Sequence, residues 1–190
     1  MRAPVELRRA YRLINHGPTT IITAAAGARR NAMAAAWVMP LDFDPARVCA
    51  VMSKETLTRQ LVDESGELVV NLPTVAQLDL AYAVGKQSGH DTDKFALHDI
   101  AIEPASQVAA PLISGCAAWL ECRVVREPDL QARYDLFVLD VLAAWADDQL
   151  FSAGQWHFGG PATRTVHHVM AGVFFATGER LEIGRPPPAG

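Results

Sequence analysis

Cysteine is scarce in this chain. The three present, Cys49, Cys116 and Cys122, are odd in number and include no C-x-x-C, which excludes a disulfide framework or a zinc ribbon. They read as small hydrophobic fillers in strands, in a reducing compartment. Long apolar runs are also missing: none approaches the roughly 20 residues that a bilayer needs. The first residues, Met1 to Arg9, are charged and hold no apolar signal core, so the expectation is a soluble cytoplasmic protein with no membrane partner. An excess of one charge sign is lacking as well. Seventeen Lys and Arg against 21 Asp and Glu leave a formal charge of −4, which gives nucleic acid no field to bind.

The familiar catalytic signatures are absent too. No G-x-G occurs, so the dinucleotide fingerprint is missing, and there is no P-loop, no G-x-S-x-G elbow and no H-E-x-x-H helix. Six His are present without metal-ligand spacing; the adjacent His167 and His168 would point to opposite sides of a strand. A metal site is therefore not expected.

What remains is a chain of 190 residues, half of them hydrophobic, with that content finely grained in alanine. Residues 5–14 read as a short amphipathic lead-in. Three strands are expected next: Thr19 to Ala26, Asn31 to Pro40 after a Gly27–Arg30 turn, and Arg47 to Met52. Leu57, Leu61 and Val62 then recur at helical spacing and predict a helix from Thr56 to Ser65. A buried strand, Leu68 to Leu72, follows, then a second helix from Val75 that ends at Gly85, and a polar loop from Lys86 to Lys94. Further on, Leu120, Cys122 and Val124 alternate with polar residues in a strand with one wet face. A Glu127–Ala132 turn leads to a strand from Tyr134 to Trp145 that reads as covered on both faces. The element order argues against a doubly wound sheet and for a mainly β architecture, a small antiparallel barrel with peripheral helices. One domain is expected over 1–183, with a loose Pro-rich tail over 184–190.

The most informative stretch runs from Gly17 to Thr58. Ala34, Ala35 and Ala36 are too small to hold a flat ring off the backbone of their strand, and Met33 and Trp37 flank them. Trp37 reads either as a ring neighbour or as a core anchor of the strand. Asn31 offers a donor and an acceptor to a hydroxyl or a ring heteroatom. Ser53 and Thr58 bracket the start of a helix, where N–H groups and the dipole favour a phosphate, although both can simply cap it. Lys94, and less directly Lys54, would offset phosphate charge as point cations. Ring plus phosphate on such a surface suggests flavin mononucleotide (FMN).

These residues also form an ordered set: Gly17-Pro18, Thr23, Asn31-x-Met33-x-x-x-Trp37, Phe43-Asp44-Pro45, Ser53, Thr58, Val70-Asn71 and Ser88-Gly89-x-x-x-Asp93-Lys94-Phe95. In that order and spacing the chain resembles the flavin reductase-like family, most of all its flavoredoxin-type members. The likeness runs from about Tyr11 to Phe95 and less distinctly to His167-His168 and Phe174-Phe175. The resemblance implies an FMN-binding split barrel, a homodimer with the flavin near the subunit interface, and hydride transfer from NADH or NADPH to flavin and on to a second acceptor. No catalytic side chain is implied, because the flavin carries the reaction. An FMN-bound electron carrier serving protein partners is the alternative, and another reaction class on this scaffold or a flavin-free binding module also stays open.

Overall fold

In the computed structural model, which describes residues 1–183, an eight-stranded antiparallel sheet curls around one core. The expected tail, 184–190, lies outside the described residues. The chain begins with β1 (Arg2–Pro4) and a 3-10 turn, Leu7–Leu13, and continues as β2 (Thr20–Ala26), β3 (Arg29–Ala35), β4 (Val38–Phe43) and β5 (Ala46–Val51). Helix α1 (Leu57–Ser65), β6 (Glu67–Leu72), α2 (Leu78–Lys86) and α3 (Lys94–Leu97) follow. After the small pair β7 (Ile102–Glu103) and β8 (Leu112–Ile113) come β9 (Ala118–Val125), α4 (Pro128–Tyr134) and β10 (Leu136–Asp147). Two hairpins close the described chain: β11 (Phe151–Ser152) with β12 (Gln155–Trp156), and β13 (Val166–Met170) with β14 (Val173–Ala176).

The sheet order is β3-β2-β6-β9-β10-β5-β4, with β1 also paired to β10. Its inner face carries Ile22, Val48, Leu68, Val70, Leu120, Phe137 and Leu139 against Leu13 and Ile14 of the first turn and Leu61 and Val62 of α1. On the outer face a second cluster joins Ile21, Val69 and Trp119 to Ala81 and Val84 of α2 and Phe95 of α3. Period-2 alternation along β2 and β6 explains the two faces, since successive side chains leave opposite sides of the pleat.

One expected strand becomes two. Asn31 to Pro40 does not run through; the ladder stops at Ala35 and resumes at Val38. The reason is topological: β3 and β4 are consecutive in sequence but lie at opposite ends of the sheet order. Ala36-Trp37 therefore carries the chain across the split of the barrel, and no glycine or proline marks that break.

Other differences have local causes. The expected Glu127–Ala132 turn is α4, started by Pro128 at a first-turn position where its missing N–H costs nothing and stopped by Asp135 at φ 54°. The second helix does not stop at Gly85 but runs through it to Lys86. That glycine serves close packing instead, because a Cβ there would come within 3.0 Å of the Ala34 Cβ. Glu121, expected on a wet face of β9, is wholly buried. Its carboxylate accepts from the Ser106 N–H (2.9 Å), the Gln107 N–H (2.6 Å) and the Trp145 indole (2.7 Å). Outward residues of β10 such as Val138 and Asp140 are only half-buried, so two-sided cover is incomplete within one chain. Cys49 and Cys122 are buried strand fillers as expected, but Cys116 sits in the turn before β9.

Candidate functional site

At the split lies a crevice of about 420 Å³, inside the ~300–1,000 Å³ that small-molecule clefts span. One wall is the end of β3 and the crossing segment: Met33, Ala34, Ala35, Ala36 and Trp37. Across from it stand Val51 at the end of β5, Ser53 just beyond it, and Thr56, which caps α1. Asp135 and His168 complete the lining. A second hollow, of about 270 Å³, touches the same three alanines from the side of α2, between Tyr82, Gly85 and Phe174.

β3 is an edge strand, paired only with β2, so half its backbone groups face away from the sheet. The Lys94 ammonium donates to the Ala32 carbonyl on that free side (2.8 Å) and to the Val84 carbonyl in the last turn of α2 (2.7 Å). Antiparallel strands alternate the direction of these groups residue by residue. Ala34 therefore also presents its N–H and C=O to the free side. The alternation agrees with Ala35, whose carbonyl accepts from the Thr20 hydroxyl of β2.

Lys94 thus departs from its expected place as a loop cation. It is the first residue of α3, only 3% exposed, and its charge is spent on two carbonyls that tie β3 to α2. Burial pushes its pKa down to about 8 from 10.5. A folded-state pKa below the unfolded one means that burying the charge costs stability below pH 8, a cost relieved as pH rises from about 8 towards 10.5. Urea midpoints measured from pH 7 to 10 should therefore rise relative to those of Lys94→Met, whose own profile lacks this component. Parallel profiles would remove the lysine from the explanation.

Asn31 and Thr58 form a buried pair, with the Asn31 amide donating to the Thr58 hydroxyl at 2.9 Å. Gly89 lies against Asn31, and a Cβ there would overlap its amide. That contact accounts for the Ser88-Gly89 spacing seen in the sequence. Neither Asn31 nor Thr58 lines the crevice; they pin α1 to β3.

The N-cap of α1 is Thr56, not Thr58. Its hydroxyl accepts from the Arg59 N–H (3.2 Å) and donates to the Ser53 carbonyl (2.8 Å), while the Ser53 hydroxyl accepts from the Glu55 N–H. The other N–H groups of the first turn have no partner within the helix, which makes this end attractive to an anion. Lys54 is exposed in the same turn. Trp37 is 74% exposed, so it is no core anchor.

Of the expected residues, then, Met33, Ala34, Ala35, Ala36, Trp37 and Ser53 share the crevice, while Asn31, Thr58 and Lys94 stand behind it. Sequence reasoning missed Val51, Thr56, Asp135 and His168 as lining residues. The His pair does diverge: His167 Nδ1 meets the Gly17 carbonyl at 2.9 Å, and His168 Nε2 meets the Ala171 carbonyl at 3.0 Å. His168 was visible only as half of an adjacent pair at the indistinct end of the family likeness, and nothing local signals that β13 turns it towards β3.

The curled antiparallel sheet, its helices and a crevice at the split define a split-barrel protein of the flavin reductase-like fold. Residues 12–168 match the flavin reductase like domain, and the chain belongs to that family. It is 41% identical to the uncharacterized protein YddH of Escherichia coli (strain K12) over 184 residues, 95% of this chain and 97% of that protein. Among solved structures it is similar to an FMN-binding domain of a flavin reductases-like enzyme from Shewanella baltica OS155. That likeness has a TM-score of 0.93 and 42% identity and covers 96% of this chain and 97% of the other. Flavoredoxin of Desulfovibrio vulgaris (Miyazaki F) shares the fold at TM-score 0.77 and 22% identity, with 88% and 90% covered.

Proposed function

We propose that the chain binds FMN in this crevice and passes a hydride from NADH or NADPH to the flavin, which hands electrons to a second acceptor. The observation that carries the reading is a free strand edge stripped to alanine, flanked by an exposed tryptophan and facing the hydroxyl-rich start of a helix. The Shewanella baltica relative, similar over nearly the whole chain, is FMN-binding.

The residues fit the group. Ala34 would offer its free backbone N–H and C=O to a flat ring that its methyl cannot hold away, and the exposed Trp37 would pack beside that ring. Ser53, Thr56 and the first-turn N–H groups of α1 would hold the phosphate. Behind it, Asn31 and Thr58 hold β3 to α1, and Lys94 holds β3 to α2. When bound, FMN supplies the hydride-accepting centre. The chain aligns donor and acceptor, and alignment supplies most of the acceleration, so no acid–base side chain is required.

A homodimer belongs to the same reading. Met39 (56% exposed), Leu41 (51%) and Phe43 (63%) alternate along the edge strand β4, directly after Trp37. A monomer rarely leaves such an apolar row uncovered.

Ser53→Ala tests the phosphate contact. Loss of one charge-assisted hydrogen bond should weaken FMN about tenfold and riboflavin hardly at all. Equal losses for the two ligands would take the helix start out of the site. Stopped-flow mixing with NADH and NADPH should reduce bound FMN rapidly; reduction only in the presence of a protein partner would identify a carrier instead.

A further inference from the structure

The smaller hollow, of about 270 Å³, is walled by Tyr82 and Lys86 of α2 and by His168, Ala171 and Phe174 of the β13–β14 hairpin. It has Ala34, Ala35, Ala36 and His168 in common with the crevice. An occupant of the hollow therefore abuts whatever lies in the crevice.

The hairpin fixes the character of His168. Its base is pinned to the strand before it: the His168 N–H donates to the Thr19 hydroxyl at 2.8 Å, and the Thr19 N–H donates to the Val166 carbonyl at 2.7 Å. At the tip the ladder bulges between His168 and Met170. Ala171 is held there at φ 47°, a left-handed conformation that a residue with a Cβ adopts only when its surroundings impose it. The Ala171 carbonyl thereby meets His168 Nε2 at 3.0 Å. A carbonyl can only accept, so Nε2 carries the proton, and the neutral ring offers Nδ1 as a lone pair. Nδ1 has no partner among the described residues, and His168 is exposed.

The rest of the wall is complementary. The Tyr82 hydroxyl also bonds to no described residue. A Cβ on Gly172 would come within 3.5 Å of that hydroxyl, so glycine leaves it uncovered. Phe174 stands between the two groups, its ring centroid 5.0 Å from that of His168 and 6.4 Å from that of Tyr82, and neither ring covers it face to face. Lys86, one turn beyond Tyr82, holds its ammonium 5.8 Å from the Tyr82 ring centroid and makes no ion pair among the described residues.

An acceptor, a donor, an aromatic ring between them and a free cation fit few small molecules. A ring carboxylate would set its charge against the His168 lone pair, and a plain quinone has no N–H to give it. A flat ring bearing a primary carboxamide satisfies both sides, and a phosphate tail behind it meets Lys86. On the reading that the crevice holds FMN, we infer that the hollow holds the nicotinamide ring of the reductant. The carboxamide N–H donates to His168 Nδ1, the carboxamide oxygen accepts from the Tyr82 hydroxyl, the ring packs against Phe174, and the pyrophosphate passes Lys86. NADH and NADPH share this ring and tail, so the contacts serve both.

Absorbance titration of the FMN-loaded protein with tetrahydro-NADH, which cannot give up a hydride, reads binding without turnover. Its acetyl counterpart, with a methyl in place of the amide nitrogen, and N-benzyl-tetrahydronicotinamide, which lacks phosphate, complete the set. Tetrahydro-NADH should bind saturably, perturb the flavin spectrum and bind about tenfold more tightly than the acetyl form, the value of one hydrogen bond. His168→Phe should erase that preference. Tyr82→Phe should weaken both dinucleotides about tenfold with FMN affinity unchanged. Lys86→Met should cost the dinucleotides about fivefold at low ionic strength and the benzyl compound nothing. With FMN bound, three results would each overturn the inference: equal binding of the amide and acetyl forms, a preference that survives His168→Phe, or no saturable binding tighter than about 1 mM. So would losses confined to Trp37→Ala, which would seat the ring on the crevice side alone. A parent protein that takes up no FMN would instead remove the flavin reading, and the role of the hollow with it.

Discussion

Ala36→Leu is expected to cut flavin affinity about a hundredfold, close to 2.7 kcal/mol, while leaving the melting temperature near that of the parent. Ala36 lines the crevice and is exposed beyond the end of β3, so an isobutyl group there meets ligand space rather than core. Ala34→Leu would not make the same test, because its Cβ lies under Gly85 of α2 and a larger side chain would collide with the helix. Flavin fluorescence quenching measures the affinity of Ala36→Leu, and differential scanning calorimetry its stability. A Leu variant that binds FMN as tightly as the parent would show that the ring does not lie on this strand. Destabilisation in step with the affinity loss would show instead that position 36 serves the fold.

The alanine ribbon was legible because bulk is a property of single residues: three small side chains beside an aromatic look alike in a sequence and in a fold. The helix start was legible within two positions for the same reason, since hydroxyls cluster there whichever of them caps. What could not be read was anything decided by the sheet's closure. The break at Ala36-Trp37 carries no turn residue, because its cause is that β3 and β4 pair at opposite ends of the order. Lys94 looks like a solvated loop cation until α2 and β3 bring two carbonyls within 2.8 Å of it. Glu121 looks like the wet side of a strand until residues 106–107 and Trp145 close over it. Asp135 and His168 reach the crevice from elements 76 to 110 positions beyond Thr58 and Arg59, a separation that local pattern cannot bridge.

Arg59 is the residue on which the second large effect falls. It is 8% exposed and joins four parts of the site's frame. Its Nε donates to Asp63 one turn along α1 (2.8 Å), and its Nη1 donates to the Met52 carbonyl (3.2 Å) and to Asp135 (3.1 Å). Nη2 reaches the Gln131 carbonyl of α4 at 3.4 Å, and the guanidinium plane lies 4.4 Å from the Phe137 ring. Arg59→Met keeps the aliphatic stem but leaves the Asp135 carboxylate, on the crevice wall, without its cation, and two carbonyls without donors. Breaking one partner of a buried pair costs about 3–5 kcal/mol, and a value near 3 kcal/mol is expected because Asp135 keeps some water. Urea unfolding measures it. FMN and riboflavin should weaken together, since the whole start of α1 moves relative to β5, in contrast to the phosphate-selective loss at Ser53. Arg59→Lys should not restore stability, because one ammonium cannot span Asp63, Asp135 and both carbonyls at once. Full rescue by lysine would mean that charge alone matters here, and the fork geometry would cease to explain how the helix start is held against the crevice.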